Sequence, residues 1–273
     1  MNGCRARSAR RSLRLALRNA LLKSAGPRSF GLWLLLLTPS LAWALVGPAR
    51  EAPEYSPYAV MVLNRRSADF CTAGVIAPDA VLTAAHCAGN LADTKVFFRG
   101  PGGKLIFVDA AAISINPAFK PKAARKRQIS IDLALVRTVT PLPSEFKPLQ
   151  IEAAAGVIPG QAYRILGYGR ASEDVRGTSG VLRSGILTAT GPKSPLLAWL
   201  ADPHGTGLGG CTGDSGGPIL ALDKPALVAV AIRAKGAGGY YCGAVTEAVL
   251  IAPQLPWLEE TLRSWGEPLG GAK

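Results

Sequence analysis

The sequence predicts an all-β protein, either a barrel or a sandwich of short strands. Ten short runs after residue 45 are β-branched, aromatic or alternating in polarity, as strands are. The gaps between them hold turn formers such as Pro78-Asp79. Hydrophobic residues make up 48% of the 273 residues, which is enough for the core of one large β domain or of two small lobes. The ten runs cover residues 58–64, 72–77, 80–85, 95–100, 104–115, 131–138, 163–170, 180–190, 217–222 and 226–234.

One helix is predicted near the C-terminus, over residues 256–265. Pro256 suits the first position of a helix, where its missing N–H costs nothing. Leu258 and Leu262 fall at helical spacing and predict an apolar face. The remaining residues, 267–273, are rich in glycine and are expected to form a flexible tail.

Residues 1–44 have the pattern of a targeting segment. They contain eight basic residues and no acid, and the apolar stretch 30–44 ends in Ala42-Trp43-Ala44, an A-x-A cleavage pattern. The apolar stretch is short for a membrane span. We therefore expect export to the exterior or the periplasm, with a mature chain that begins at Leu45.

The basic part of this segment is unusually long, so other interpretations stay open. The true start could lie downstream of Met1, or Arg10-Arg11 could belong to a twin-arginine signal. An acid-free stretch rich in Arg and Ser is also typical of an organelle transit peptide, and a retained signal anchor is a weaker fourth option.

The net charge of +13 comes largely from the targeting segment. Without its eight basic residues the chain keeps 23 basic and 18 acidic residues, a net charge of +5. Such a mild charge does not argue for a nucleic-acid partner. A basic run at 120–128 is expected to be a solvated loop, with docking of an acidic partner as the alternative.

The cysteine count agrees with export. Removal of Cys4 with the targeting segment leaves an even number, which suggests two disulfides in any of three pairings. A zinc site is disfavoured because no CxxC pair exists and only His86 and His204 could assist. No metal and no cofactor is expected. The remaining cysteines are Cys71, Cys87, Cys211 and Cys242.

Three short stretches carry the residues of nucleophilic catalysis. "TAAHC" contains His86, "IDLALV" contains Asp132 and "CTGDSGGP" contains Ser215. Attack on a carbonyl needs a hydroxyl, a base that takes its proton and a carboxylate that orients the base. Each residue alone has an ordinary structural interpretation, but the three together predict a serine nucleophile.

The glycines around Ser215 support the same chemistry. A tetrahedral intermediate needs backbone N–H groups aimed at its oxyanion, and those of Gly213 and Ser215 can converge in a tight turn. Gly213 and Gly216 permit such a backbone because they lack a Cβ atom. The competing interpretation, a phosphate loop at 205–210, is rejected because no GK[ST] follows it.

At these motifs the sequence resembles the trypsin/chymotrypsin-like serine proteases, over roughly residues 45–266. "TAAHC", "DLAL" and "GDSGGP" occur in that family's order of His, Asp and Ser. The resemblance implies two six-stranded antiparallel β-barrels with a cleft between them, and a short C-terminal helix. It implies an endopeptidase that acts through an acyl-enzyme on protein or peptide substrates, and we expect a monomer. It makes His86 the general base, Asp132 its orienting partner and Ser215 the nucleophile, with Gly213 and Ser215 forming the oxyanion hole.

The resemblance also implies the disulfide pairing, Cys71–Cys87 and Cys211–Cys242. The first pair would close a loop of about 16 residues beside the base, which the chain-entropy model rates at about 3 kcal/mol. The second would tie the nucleophile turn to a wall of the specificity pocket.

A further implication is an activation ion pair. In the family a new N-terminal amine pairs with the aspartate before the nucleophile, here Asp214. Residues 45–48, Leu-Val-Gly-Pro, resemble the family's mature start, with Pro48 in place of a glycine. The hypothesis is that removal of the targeting segment itself frees the amine of Leu45. The alternative is that this similarity is accidental and that Asp214 has another partner.

The resemblance places Gly209 at the base of the primary specificity pocket. Members that prefer Arg or Lys carry Asp there, so strict basic specificity is disfavoured and small or apolar side chains are favoured. Alternatively, Arg233 or Lys235 reaches the pocket and favours acidic residues. His204 either lines the site or belongs to an exposed loop.

Two other function classes compete with an exported serine endopeptidase. A catalytically silent relative would act as a binding module, but such relatives usually lose a triad residue, and this chain keeps all three. A serine esterase of another fold would need the order Ser, Asp, His, which the sequence lacks.

Overall fold

The computed structural model describes residues 45–123, 126, 128–151, 156–192 and 194–267. Fourteen strands and one α-helix lie within these residues, with short 3-10 turns between them. The strands are β1 (Arg50–Glu51), β2 (Ala59–Asn64), β3 (Asp69–Ala77), β4 (Ala80–Thr83), β5 (Thr94–Arg99), β6 (Leu105–Ile115), β7 (Ala134–Thr138), β8 (Gln150–Ile151), β9 (Ala162–Gly167), β10 (Arg183–Pro192), β11 (Leu197–Ala201), β12 (Pro218–Leu220), β13 (Ala226–Gly236) and β14 (Gly243–Leu250). The helix is α1 (Leu255–Ser264).

Six strands close into the first antiparallel barrel, in the order β2-β3-β4-β7-β6-β5. The pairing of β2 with β5 completes the ring, so the barrel exposes no unpaired edge. Buried side chains such as Val60, Val62 and Val136 fill one of its apolar clusters.

The second barrel contains β9, β10, β11, β14, β13 and β12, and it closes where β12 and β10 both pair with β9. The two-residue strand β1 extends this barrel beside β10, and β8 pairs in parallel with β13. The expectation of two six-stranded antiparallel barrels with a short C-terminal helix is therefore confirmed.

All ten runs identified in the sequence contain strand residues, although several strands end earlier than their runs. Four further strands, β1, β8, β11 and β14, lie outside those runs. β14 begins at a glycine and buries Thr246 and Glu247, so its polarity hides the strand pattern.

The two barrels share one apolar core. Met61 and Leu82 of the first barrel and Leu166 and Leu220 of the second belong to a single buried cluster. A cluster that spans both barrels makes them one packing unit, and the loops at their junction face each other across a cleft.

The C-terminal helix packs on this shared core. α1 begins at Leu255, one residue before the predicted start, and it ends at Ser264. Leu258 and Leu262 are fully buried in the shared cluster, as the spacing predicts.

The predicted targeting segment 1–44 and all but one residue of the predicted tail 267–273 lie outside the described residues. Within the described part of the chain, no helix is long and apolar enough to cross a membrane.

We predict that Leu258→Ala lowers the free energy of unfolding by about 2–5 kcal/mol, because it leaves a cavity under α1. Urea unfolding of the oxidised protein measures the loss. Glu260→Ala on the exposed side of α1 is the control, with a change within about 0.5 kcal/mol. Equal losses for both variants would contradict the packing of α1 on the shared core.

Candidate active site

Strand pairing brings His86 and Asp132 together. β4 and β7 are neighbours in the first barrel, with Thr83 opposite Ala134, so the residues just beyond β4 lie beside those just before β7. His86 follows β4 in a 3-10 turn, and Asp132 precedes β7 by two positions.

The carboxylate of Asp132 makes two contacts with His86. Its Oδ2 lies 2.7 Å from Nδ1 of the ring, and its Oδ1 accepts a hydrogen bond of 2.9 Å from the backbone N–H of His86. Together these contacts fix the orientation of the ring. A proton on Nδ1 leaves Nε2 as the basic atom, which is the tautomer that a general base needs.

Ser215 lies in a tight turn, residues 211–217, that we call the nucleophile turn. Gly213 has φ +96° and Gly216 has φ +82°, conformations that favour glycine. A Cβ atom on Gly216 would lie 2.1 Å from the carbonyl oxygen of Thr72. No larger residue fits at this point of the turn.

Thr72 anchors this turn to the first barrel. The residue is fully buried in β3, and its backbone N–H donates to the carbonyl of Ser215 at 2.9 Å. Its hydroxyl donates to the carbonyl of Gly213 at 2.9 Å and accepts from the N–H of Tyr168 at 3.0 Å. One threonine thereby joins β3, the nucleophile turn and the end of the second barrel's first strand.

The triad candidates share one cavity of about 560 Å³ in the cleft. His86, Asp132 and Phe70 line it from the first barrel, and Ser215 and Gly213 line it from the second. The Ser215 hydroxyl donates to the carbonyl of Ile232 at 3.5 Å. Among the described residues no hydrogen bond joins that hydroxyl to His86.

Two backbone donors of the nucleophile turn are available for a ligand. Within the described part of the chain, the N–H groups of Gly213 and Ser215 have no hydrogen-bond partner. The N–H of Gly216, by contrast, donates to Ala231 at 2.6 Å. Available N–H groups beside a hydroxyl are what an oxyanion site requires.

Asp214 belongs to the nucleophile turn, and its side chain is buried beneath that turn. Its Oδ1 accepts from the N–H of Gly169 and its Oδ2 from the N–H of Cys211, both at 2.8 Å. Burial raises the pKa of this carboxyl to about 7, and the two N–H donors and the charge of Arg183 oppose that rise. The carboxylate is therefore the acceptor that holds the turn to the strand end at Gly169.

Leu45 is fully buried in the core of the second barrel, and its neighbour Val46 forms a two-bond bridge with Gly209, at 3.1 and 3.2 Å. No hydrogen bond or ion pair joins Leu45 to Asp214 among the described residues. The predicted mature start is thus packed inside the protein, but its contact with Asp214 stays a prediction.

The residues predicted to set specificity lie apart from one another. Gly209 is buried and does not line the catalytic cavity; a Cβ atom there would lie 3.0 Å from Cα of Gly243. Arg233 does line the cavity, and its guanidinium lies 3.5 Å from the Glu247 carboxylate. The ammonium of Lys235 stands 4.3 Å from the centre of the Trp199 ring.

His204 belongs to an exposed loop and does not line the catalytic cavity. Its backbone N–H donates to Asp202, which organises that loop. This matches the interpretation of His204 as a loop residue.

Both disulfides border the cleft. Cys71 is joined to Cys87, with Cα atoms 5.9 Å apart, and Cys211 to Cys242, with Cα atoms 4.8 Å apart. Two groups of His, Cys and Glu side chains lie close enough to hold an ion, but each contains both sulfurs of a disulfide, which are not thiolate ligands.

The two glycines that receive the carboxylate of Asp214 are not among the site residues predicted from the sequence. A Cβ atom on Gly167 would lie 2.0 Å from its Oδ1, and one on Gly169 would lie 2.5 Å from its Cγ. The sequence does contain a signal for these glycines. They flank Tyr168 at the end of a strand, and glycines in such a place indicate that another group approaches the backbone closely.

The geometry agrees with comparison to known proteins. A family model described as Trypsin matches residues 45–251. The chain belongs to the trypsin family of serine proteases. The match spans both barrels and all three triad candidates.

Two kallikreins are similar to this chain at low identity. Kallikrein-15 of Saguinus oedipus is 24% identical over 223 residues, which cover 69% of this chain and 84% of the relative. Human kallikrein-15 is 24% identical over 224 residues, with the same two shares.

Two solved structures share the fold. Neuropsin, a serine protease expressed in the limbic system of mouse brain, superposes with a TM-score of 0.65 at 19% identity, covering 79% of this chain and 99% of neuropsin. The structure of GrC gives a TM-score of 0.64 at 19% identity, with the same coverage.

We predict that Gly167→Ala destabilises the protein by about 1–3 kcal/mol, because the new methyl group would displace the Asp214 carboxylate. Thermal or urea unfolding measures the change. Gly156→Ala is the matched control, since a Cβ atom there meets nothing within 4 Å. A Gly167→Ala protein as stable as this control would contradict the tight seat of Asp214.

Proposed function

We propose that the protein is an exported serine endopeptidase that uses His86, Asp132 and Ser215 as its catalytic triad. The observation that carries this proposal is the double contact of Asp132 with His86 in the cavity that also holds Ser215. Membership of the trypsin family supports the reaction class, and protein or peptide substrates follow from it.

In the proposed reaction Ser215 Oγ attacks the carbonyl carbon of the scissile peptide bond. Its proton passes to Nε2 of His86, and the Asp132 carboxylate stabilises the imidazolium that forms. The oxyanion accepts hydrogen bonds from the N–H groups of Gly213 and Ser215, each worth about 3–4 kcal/mol.

The tetrahedral intermediate then collapses. The C–N bond breaks as His86 returns the proton to the leaving amine, and an ester to Ser215 Oγ remains. Water then gives a proton to His86 and attacks the carbonyl carbon of the ester. The bond from that carbon to Ser215 Oγ breaks as His86 passes the proton to Oγ, which releases the carboxylic acid and restores the hydroxyl.

The Ser215 hydroxyl must turn before it can react. Its bond to the Ile232 carbonyl is 3.5 Å long, which is weak by the standards of hydroxyl donors. Rotation about one side-chain bond moves the oxygen within the shared cavity towards His86. We propose that substrate entry favours this rotamer.

Export and activation complete the proposal. Cleavage after Ala44 would give a chain that begins at Leu45, and the burial of that residue together with the Val46–Gly209 bridge supports an inserted terminus. An ammonium group at Leu45 would stabilise the Asp214 carboxylate, whose pKa burial raises to about 7.

For specificity we propose that the primary subsite takes small or apolar side chains. The resemblance places Gly209 at the base of that subsite, and this residue carries no charge that could pair with Arg or Lys. Arg233 lies on the cavity wall, and Glu247 offsets part of its charge.

Two expectations about partners stay predictions. One is that the protein is a monomer, and the other is that the basic run 120–128 docks an acidic partner. Part of that run lies outside the described residues.

We predict that a fluorophosphonate probe labels the processed protein at Ser215 and that Ser215→Ala abolishes the labelling. Asp132→Asn should slow it by about four orders of magnitude, because the imidazole loses its orienting acceptor. Mass spectrometry of the labelled peptide makes the measurement. A folded, oxidised, processed protein that does not label would instead be a protease-like binding module.

A second prediction concerns the mature terminus. Mass-spectrometric mapping of the active form should find Leu45 first, and one added residue ahead of it should lower the labelling rate, because the amine would no longer reach Asp214. An active form with any other start would overturn the activation proposal and leave the triad proposal standing.

A further inference from the structure

A row of alternating charges crosses three strands of the second barrel. Glu51 on β1 pairs in register with Arg183 on β10, and Arg183 in turn lies opposite Gly167 on β9. The Glu51 carboxylate lies 3.6 Å from the Arg183 guanidinium. Arg183 is 1% exposed and is among the largest fully buried side chains of the protein, so its charge acts in the interior.

Gly167 leaves the position opposite Arg183 open, and Asp214 fills it. Register partners in antiparallel strands carry their Cβ atoms about 4.5–5.5 Å apart on the same face. The Oδ1 atom of Asp214 lies 2.0 Å from the place where a Cβ of Gly167 would be. The carboxylate of Asp214 therefore takes the place of a side chain paired with Arg183.

The order of charges is then Glu51, Arg183 and Asp214: acid, base, acid. A buried carboxylate without a cation nearby is strongly disfavoured as an anion. Arg183 supplies that cation from within the barrel, whether or not the chain has been cut before Leu45. Glu51, with a side chain 61% exposed, ties Arg183 to the first segment of the mature chain.

We propose that Arg183 is a positioning residue whose guanidinium is the interior counter-charge of Asp214, so that the nucleophile turn keeps its shape. Asp214 accepts the N–H groups of Gly169 and Cys211 and thereby sets that shape. An effect of Arg183 on catalysis rests on the proposed function, whereas its effect on the ionisation of Asp214 does not.

The charge of Arg183 lowers the pKa of Asp214, against the rise to about 7 that burial causes. Among the described residues, the charged group that acts on Asp214 is Arg183 on β10, with Glu51 on β1 behind it, and processing would add the Leu45 ammonium. Because the folded-state pKa is above the unfolded value, ionisation of Asp214 removes stability as pH rises from about 4 through that pKa.

The test follows this titration by urea unfolding across pH, in the chain as isolated and with Ser215→Ala to prevent self-cleavage. The contribution of Asp214 is the part of the pH dependence that disappears in Asp214→Asn. Arg183→Gln should move the midpoint of this Asp214 titration upward by about one pH unit or more. Glu51→Gln should move it downward, because it leaves the field of Arg183 uncompensated.

Glu54→Gln is the matched control. Glu54 is a second carboxylate of the same N-terminal segment, and it pairs with Arg50 at the surface, so its removal should leave the midpoint unchanged. A purely structural Arg183 would weaken folding in both charge variants without moving the midpoint in opposite directions, and that result would overturn the proposal. If Arg183→Gln does not fold, Glu51→Gln decides alone: a downward shift supports the proposal and no shift overturns it.

Fluorophosphonate labelling separates this inference from the proposed function. If the parent protein labels, the acid limb of its labelling rate should shift upward in Arg183→Gln. If the processed, oxidised protein with Ser215 intact does not label while the unfolding midpoints move as stated, the protease proposal fails and the role of Arg183 stands.

Discussion

The hydrogen bonds of Thr72 are the constraint on which the geometry of the candidate active site depends. This residue is fully buried in the first barrel, yet its N–H and hydroxyl bind the carbonyls of Ser215 and Gly213 in the second. His86 and Asp132 belong to the first barrel, so the distance between His86 and Ser215 is set across the junction of the two barrels. A junction made of buried hydrogen bonds at fixed lengths tolerates little sliding, because a broken bond there leaves an unsatisfied polar group.

Glycine makes that junction possible. At Gly216 and Gly213 the backbone of the turn approaches the first barrel and the strand end at Gly169 more closely than any side chain permits. The same device recurs at Gly167, where the empty side-chain position receives a carboxylate. Close backbone contact thus has two effects in one turn: it fixes the position of Ser215, and it buries the Asp214 carboxyl that accepts from the N–H groups of Gly169 and Cys211.

The sequence indicates which elements and residues form the site better than it indicates how they are arranged in space. Some features are patterns of neighbouring residues, and these can be recognised in the sequence alone. They are the strand runs, the C-terminal helix and the motifs around His86, Asp132 and Ser215. Register is not local. Arg183 occupies an ordinary polar position in an alternating strand, and only its pairing with Glu51 and Gly167 puts it in the interior. Likewise, the burial of Gly209 against Gly243 depends on how β14 approaches the loop before the nucleophile turn.

The two disulfides line the cavity that holds the triad candidates rather than lying at the periphery of the barrels. Cys87 adjoins His86 in the chain, and Cys211 opens the turn that ends in the nucleophile. The barrels are closed by backbone pairing, and each has an apolar cluster of its own beside the core that both share, so they do not depend on these bridges for their outline. Reduction of the two bridges would consequently loosen the backbone beside His86 and Ser215 first and the barrels afterwards.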